Sequence, residues 1–453
     1  MWTNIESFRP FVESLQFAFT QPSFTTHGTL LLAWIMCLGR HRLIKVFQNS
    51  APQFPVDNSQ RHGFDTFYNF FERSAWTPRG LAYHLGVLIF TRLPVGGVVT
   101  LLVDDTLAHK RGKSVWGIGW FRDAVASTKK RVATASGHNW VLLAVAFCSP
   151  FSGAPILAIP LMARLHHSGK GNPSCAQLAR QMVDEVVGWY PNYHFTLVGD
   201  GAYASSVLLK DLDKGVVFVG RLRGDACLFD PRVPKVSKAK RGPKAKKGKR
   251  LPSPKEAAKK ADRKRVATGE WLWQEVCVTI YGQTRRLQAF AYEAVWPKVL
   301  QLRPIQIVVV RDPEGRMDDV YLFTTDLQAK LEWVITQFAW RWAIEVLFRG
   351  SKQVMDIEAP QHWAQASVEK VAPWVWSMQS VIMVWYLSEG RELAEAEEMR
   401  SRMGEWDSEW SLRHMTQVLR VAILNATINP NSEDPAELKK IIETLKNWAI
   451  LAG

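Results

Sequence analysis

Cysteine is scarce. Five residues (Cys37, Cys148, Cys175, Cys227 and Cys277) are scattered through 453 positions, with no Cys-x-x-Cys pair. That pattern excludes a disulfide framework or a cysteine-bound zinc and fits a reducing, cytoplasmic setting. The first residues, Met1–Phe11, lack a basic stretch followed by an apolar one, so no secretory leader is expected. Long apolar runs are also missing. The most apolar late segment, 371–387, is 17 residues long and carries Ser377, Gln379 and Ser380, so it reads as a buried core helix and no membrane partner is expected. No internal repeat is evident.

What is present is an ordinary globular composition, 47% hydrophobic and 22% charged, in a chain long enough for two or three domains. Its formal charge of +15 is concentrated in one place. Residues 231–265 hold 16 Lys and Arg against Glu256 and Asp262, a net +14, so the remainder is nearly neutral. This stretch is rich in Pro, Gly, Ser and Ala and reads as a mobile basic arm. Lys246, Lys247, Lys249 and Arg250 at its centre are candidates for sequence-independent contact with a phosphate backbone, which gains affinity by counterion release. Residues 389–410 carry eight acids against three arginines and should face away from a polyanion.

Apolar residues at three- and four-residue spacings predict helices through residues 1–95, with Thr77 capping a helix that opens at Pro78. In 37–47, Arg40, Arg42 and Lys45 make a basic stretch. The texture changes at "GGVVTLLVDDT" (96–106), a β-branched run ending on two acids. Strands are expected at 139–149 and 154–165, a helix at 175–190, a strand at 194–203 that includes Asp200, and another at 216–223. On that last strand Arg221 and Arg223, two apart, would share a face. From 224 to 327 the pattern is mainly β, and helices resume at 328. His138 reads as a structural histidine, and His166-His167 has no companions at metal spacing.

Three acids therefore stand in related settings. Asp105, or its neighbour Asp104, ends one strand and Asp200 ends another. Glu345 lies on a helix over 338–352 in a row with Phe338, Arg341 and Lys352. Carboxylates so placed suit Mg²⁺, which leaves coordination positions for phosphate oxygens.

The spacing Phe338-x2-Arg341-x3-Glu345-x6-Lys352 resembles the Y-x2-R-x3-E-x6-K signature of bacterial insertion-sequence transposases of the DDE class. "VDDT" (103–106) and "VGDGAY" (198–203) resemble that family's first and second aspartate segments, and the acid directly before Thr is then Asp105. The chain departs from the signature at Phe338, where the family carries tyrosine. The resemblance implies an α/β fold: an RNase H-like mixed sheet flanked by helices, interrupted by a β-rich insertion, with helical N- and C-terminal regions. It divides the chain into a helical DNA-binding region (1–95), a first core part (96–223), the insertion with its basic arm (224–327), the catalytic and packing helices (328–390), and a C-terminal helical region suited to dimerisation (391–453). It implies Asp105, Asp200 and Glu345 as catalytic ligands of two Mg²⁺ ions, which Mn²⁺ can replace, with Arg341 and Lys352 on DNA phosphates. It also makes Arg40, Arg42 and Lys45 contacts to the terminal inverted repeats and places Arg221 and Arg223 along the DNA channel. Tyr321 would be the insertion aromatic that holds a flipped base. The activity implied is cut-and-paste transposition through a hairpin intermediate, by a homodimer acting on double-stranded DNA beside the bacterial nucleoid. A DNA-binding descendant without activity and a nuclease without strand transfer are the alternatives.

Overall fold

The computed structural model describes residues 5–50, 63–128, 130–149, 151, 153–232, 247–263, 272–402, 404 and 408–427. Helices α1 (Arg9–Glu13), α2 (Gln21–Met36), α3 (Leu43–Ser50), α4 (Phe64–Glu72) and α5 (Pro78–Phe90) come first. Thr77 caps α5, its hydroxyl accepting from the Gly80 N–H at 3.0 Å, and Pro78 occupies the first turn, where its missing N–H costs nothing.

Strands β1 (Val98–His109), β2 (Gly119–Arg122), β3 (Thr134–Cys148) and β4 (Ile156–His166) follow, then α6 (Cys175–Trp189), β5 (His194–Gly199), α7 (Ser206–Leu209) and β6 (Val216–Arg221). β1 and β4 both run antiparallel to β3, while β5 lies parallel to β1 and β6 parallel to β5. Three antiparallel strands continued by two parallel ones is the strand order of an RNase H-like core. β1 is central, and Leu101, Leu102 and Val103 are wholly buried, because a parallel neighbour and helices on both faces leave no solvated side.

The β-rich part builds onto the same sheet. After α8 (Pro254–Arg263), strands β7 (Gln274–Ile280), β8 (Gln283–Val295), β9 (Pro304–Arg311) and β10 (Val320–Thr324) form an antiparallel meander, with α9 (Pro297–Leu300) between β8 and β9. β10 pairs antiparallel with β6, so the sheet runs unbroken through ten strands. α8 corrects the reading of 231–265 as one mobile arm: Pro254, Ala257, Ala258 and Ala261 are buried. Ser253 and Glu256 form a reciprocal cap, the Ser253 N–H donating to Glu256 Oε2 at 2.9 Å. Residues 233–246, Lys246 among them, lie outside the described residues.

Helices α10 (Leu331–Trp340), α11 (Trp342–Gln353), α12 (Gln365–Ser388), α13 (Ala394–Ser401) and α14 (Leu412–Thr427) complete the chain. The continuous helix expected over 338–352 is instead two, joined at Arg341. α12 contains the 371–387 stretch and lies in the core, with Trp374, Trp385 and Tyr386 wholly buried. Among the described residues no helix is long and apolar enough to cross a membrane.

Three of the buried histidines are held well below the ordinary imidazole pKa. His27 Nδ1 accepts from the Trp374 indole at 2.9 Å, and burial pushes its pKa down to about 3. His138 donates to the Trp116 carbonyl at 2.9 Å, and burial pushes it down to about 4, as it does His362. Each resists a proton that the unfolded chain accepts near 6.5, so stability is full at neutral pH and falls as pH drops from there toward 4. His138 alone should contribute on the order of 3 kcal/mol to that loss. Denaturant midpoints at pH 7 and pH 4.5 should differ accordingly, and His138→Gln should narrow the gap; an unchanged midpoint would contradict this.

Candidate active site

Alternation along β1 sends Asp104 and Asp105 to opposite faces of the sheet. The face of Asp104 is also that of Thr100, whose buried hydroxyl donates to Gln337 Oε1 of α10 at 2.8 Å. This bond sets α10 against β1 and brings the α10–α11 junction over Asp104. There Arg341 Nη1 donates to Asp104 Oδ2 at 2.9 Å, and Arg341 Nη2 donates to Glu345 Oε1 at 2.6 Å. The sequence reading of Arg341 as a free phosphate clamp is thus modified: its guanidinium bridges two carboxylates.

Asp200 follows β5, the parallel neighbour of β1. Its Oδ1 accepts from the Ala202 N–H at 2.8 Å, closing a tight turn. Burial pushes the Asp104 carboxyl up to about 7 against the pull of Arg341, and Asp200 and Asp105 push it the same way. Burial works against the Arg341 charge, but Asp104 and Glu345 outweigh it and raise its pKa. The donor set is hard oxygen crowded by like charge, a set that suits a divalent cation. Among the described residues no group of three or more His, Cys, Asp or Glu is gathered closely enough to hold a metal ion.

Asp105, the expected first acid, has a different set of partners. Its Oδ1 accepts from the buried Tyr203 hydroxyl at 2.9 Å, and its Oδ2 accepts from Asn139 Nδ2 at 3.1 Å. Tyr203 belongs to the Asp200 turn, its backbone N–H donating to the Asp200 carbonyl at 3.2 Å. Asp105 therefore ties the Asp200 turn to β1 from behind.

A groove of about 1460 Å³ opens from Asp200 and Arg341. Arg221, Arg223, Lys255, Tyr321 and Phe338 line it. Arg221 ends β6, while Arg223 lies beyond the strand and pairs with Asp225 at 2.8 Å. Tyr321 is half-buried and packs against Gly224, where a Cβ would come within 2.6 Å of its ring. Lys352 is engaged farther along β1, donating to the Leu107 carbonyl at 2.6 Å with Glu358 at 3.6 Å. Lys247 stacks on the Phe229 ring at 3.8 Å, and Lys249 and Arg250 follow in the segment bridged to Phe229 and Asp230. Arg40 pairs with Asp356 at 3.3 Å, while Arg42 and Lys45 are exposed; none of these three lines the groove.

Two aromatic residues of the groove escaped the sequence reading. Tyr281 and Gly282 form the two-residue turn between β7 and β8, with φ +52° and +73°. Trp342 at the start of α11 meets Tyr281 edge-on, ring centres 6.2 Å apart, and both are about half exposed. A bulky non-glycine residue in the left-handed region is uncommon, and "YG" between two β-patterned runs was the available signal.

The family model described as "DDE superfamily endonuclease" matches residues 19–286, more than half of the chain. This chain belongs to the DDE superfamily endonucleases. The matched span of this endonuclease includes Asp104, Asp105 and Asp200 and ends before Glu345. No curated protein matches the chain. Among solved structures, it is similar to a cryo-EM structure of the piggyBac transposase synaptic complex with hairpin DNA, at 10% identity and a TM-score of 0.37, over 97% of this chain and 80% of that chain.

Tyr203→Phe should leave Asp105 short of one hydrogen bond, costing roughly 1–3 kcal/mol. Chemical denaturation should report that loss, and a variant as stable as the parent would show that the tie does not hold the turn.

Proposed function

We propose that this endonuclease is a DNA transposase that cleaves and joins phosphodiesters, with Asp104, Asp200 and Glu345 as its three acids. The observation that carries this reading is the meeting of Asp104, Arg341 and Glu345, with Asp200 beside them, at the head of a large groove with arginines in its walls. Asp104 takes the place expected of Asp105 because it shares the face of Arg341 and Glu345. Bound to these carboxylates, two Mg²⁺ ions (or Mn²⁺) would supply Lewis-acid activation of the attacking and departing oxygens.

The chain's own groups account for the rest. Arg341 bridges Asp104 and Glu345 in the free protein, offsetting part of their charge, and can turn one face of its guanidinium to a phosphate. Arg221, Arg223 and Lys255 guide the backbone along the groove, and Lys247, Lys249 and Arg250, with the lysines before them, add sequence-independent affinity. Trp342 and Tyr281 offer exposed ring faces for an unstacked base, a role better suited to them than to the half-buried Tyr321. The full cycle in this proposal is cut-and-paste movement of a bacterial insertion sequence: end cleavage, a hairpin intermediate and strand transfer, by a homodimer on double-stranded DNA. Residues 428–453, part of the expected dimerisation region, lie outside the described residues.

Duplexes bearing the inverted repeats that flank the coding region are the substrate for the test. Asp200→Ala and Glu345→Ala should each lower cleavage by roughly a hundredfold or more, with binding retained. Undiminished cleavage would overturn the assignment. Cleavage without joined products in a target plasmid would make the protein a nuclease, and specific binding without any cleavage would make it a DNA-binding descendant.

The basic stretch has its own test, made by substitution because α8 is packed. Changing Lys244, Lys246, Lys247, Lys249 and Arg250 to Gln should flatten the salt dependence of DNA binding, by about 0.9 in log–log slope for each phosphate that the stretch no longer neutralises. An unaltered slope would exclude the stretch from the DNA path.

A further inference from the structure

A second basic cavity, of about 380 Å³, lies at the far end of α11 from Glu345. Arg40, Arg413 and Arg420 line it with His41, Gln353 and Asp356. Both oxygens of the Asp356 carboxylate are engaged, Oδ2 accepting from the His41 N–H at 2.9 Å and Oδ1 from Arg40 at 3.3 Å. Its φ of +47° is rare for a non-glycine residue, and these two bonds hold it there.

Arg420 is the unusual member. It is 5% exposed, and its Nε donates to the Ile35 carbonyl at 2.6 Å while Nη2 donates to the Cys37 carbonyl at 3.4 Å. Those carbonyls close the C-terminal end of α2, where a cation is favoured. No carboxylate pairs with Arg420 among the described residues, and its Nη1 has no partner among them. Arg413 beside it is exposed and forms no ion pair among the described residues. Burial, with Arg413 adding repulsion, pushes the Arg420 pKa down to about 10. A buried guanidinium without a counter-charge is costly, and a neighbouring arginine adds to the cost. An anion in the cavity would relieve both.

We infer that this cavity is a phosphate-binding site, built by Arg420, Arg413 and Arg40, that receives a backbone phosphate of DNA. Arginine forks match phosphate oxygens two at a time. Glu345 and Gln353 are eight residues apart on α11, about 12 Å along the helix. That distance equals three to four base steps at about 3.4 Å each. Naming DNA as the occupant rests on the transposase reading; naming phosphate does not.

Two measurements on the full chain separate these claims. Thermal-shift titration with inorganic phosphate should raise the wild-type melting temperature, and Arg413→Gln and Arg420→Gln should each reduce that shift several-fold. Arg413 is exposed, so its variant carries the test if Arg420→Gln fails to fold. In anisotropy titrations of a labelled duplex, Arg413→Gln should lower the log–log salt slope by about 0.9. An equal phosphate shift in the parent and both variants overturns the site. A shift abolished in the variants with the DNA slope unchanged overturns DNA as its occupant and leaves a free phosphate ester. Both measurements read the same way whether or not the protein cleaves DNA.

Discussion

Arg341 joins the α10–α11 junction to β1, parts of the chain separated by more than two hundred residues. One guanidinium bonds Asp104 of β1 and Glu345 of α11, at the point where α10 ends and α11 begins. The carboxylate pair would otherwise repel across a poorly hydrated space, and Asp200 adds to that repulsion. Breaking the bridge leaves buried charge uncompensated, which costs more than the bridge itself contributes. The arrangement therefore holds the acids together in the free protein and gives the junction between the two helices its position on the sheet.

The paired aspartates of "VDDT" divide the work because a strand alternates its side chains. Asp104 looks toward Arg341; Asp105 looks toward Asn139 and Tyr203. Through Tyr203, Asp105 secures the turn that holds Asp200, so both residues bear on one site from opposite sides of the sheet. The two-residue alternation also puts Thr100 under Gln337, and this bond orients α10.

Much of this was legible from the residues. The β-branched run before Asp104, the strand before Asp200 and the helical spacing around Glu345 mark the elements, because burial on both faces of a central strand leaves an apolar run. The two aspartates do not end that strand as expected, since β1 continues past them to His109, paired with β3. Which of Asp104 and Asp105 meets Arg341 depends on the face of the sheet on which α10 and α11 pack, and local pattern carries no such information. The break at Arg341 was hidden because 331–352 has a continuous apolar spacing. α8 was masked by lysines, although Ser253 and Glu256 spelled out a capping box. The Arg40–Arg413–Arg420 cavity joins residues from distant parts of the chain and had no local signature at all.

The facing of the two aspartates can be measured as a coupling energy in unfolding experiments. A double-mutant cycle between Asp104→Asn and Arg341→Gln should give a coupling of at least about 1 kcal/mol, and the same cycle with Asp105→Asn a value near zero. A strong coupling of Arg341 to Asp105, with none to Asp104, would contradict the account.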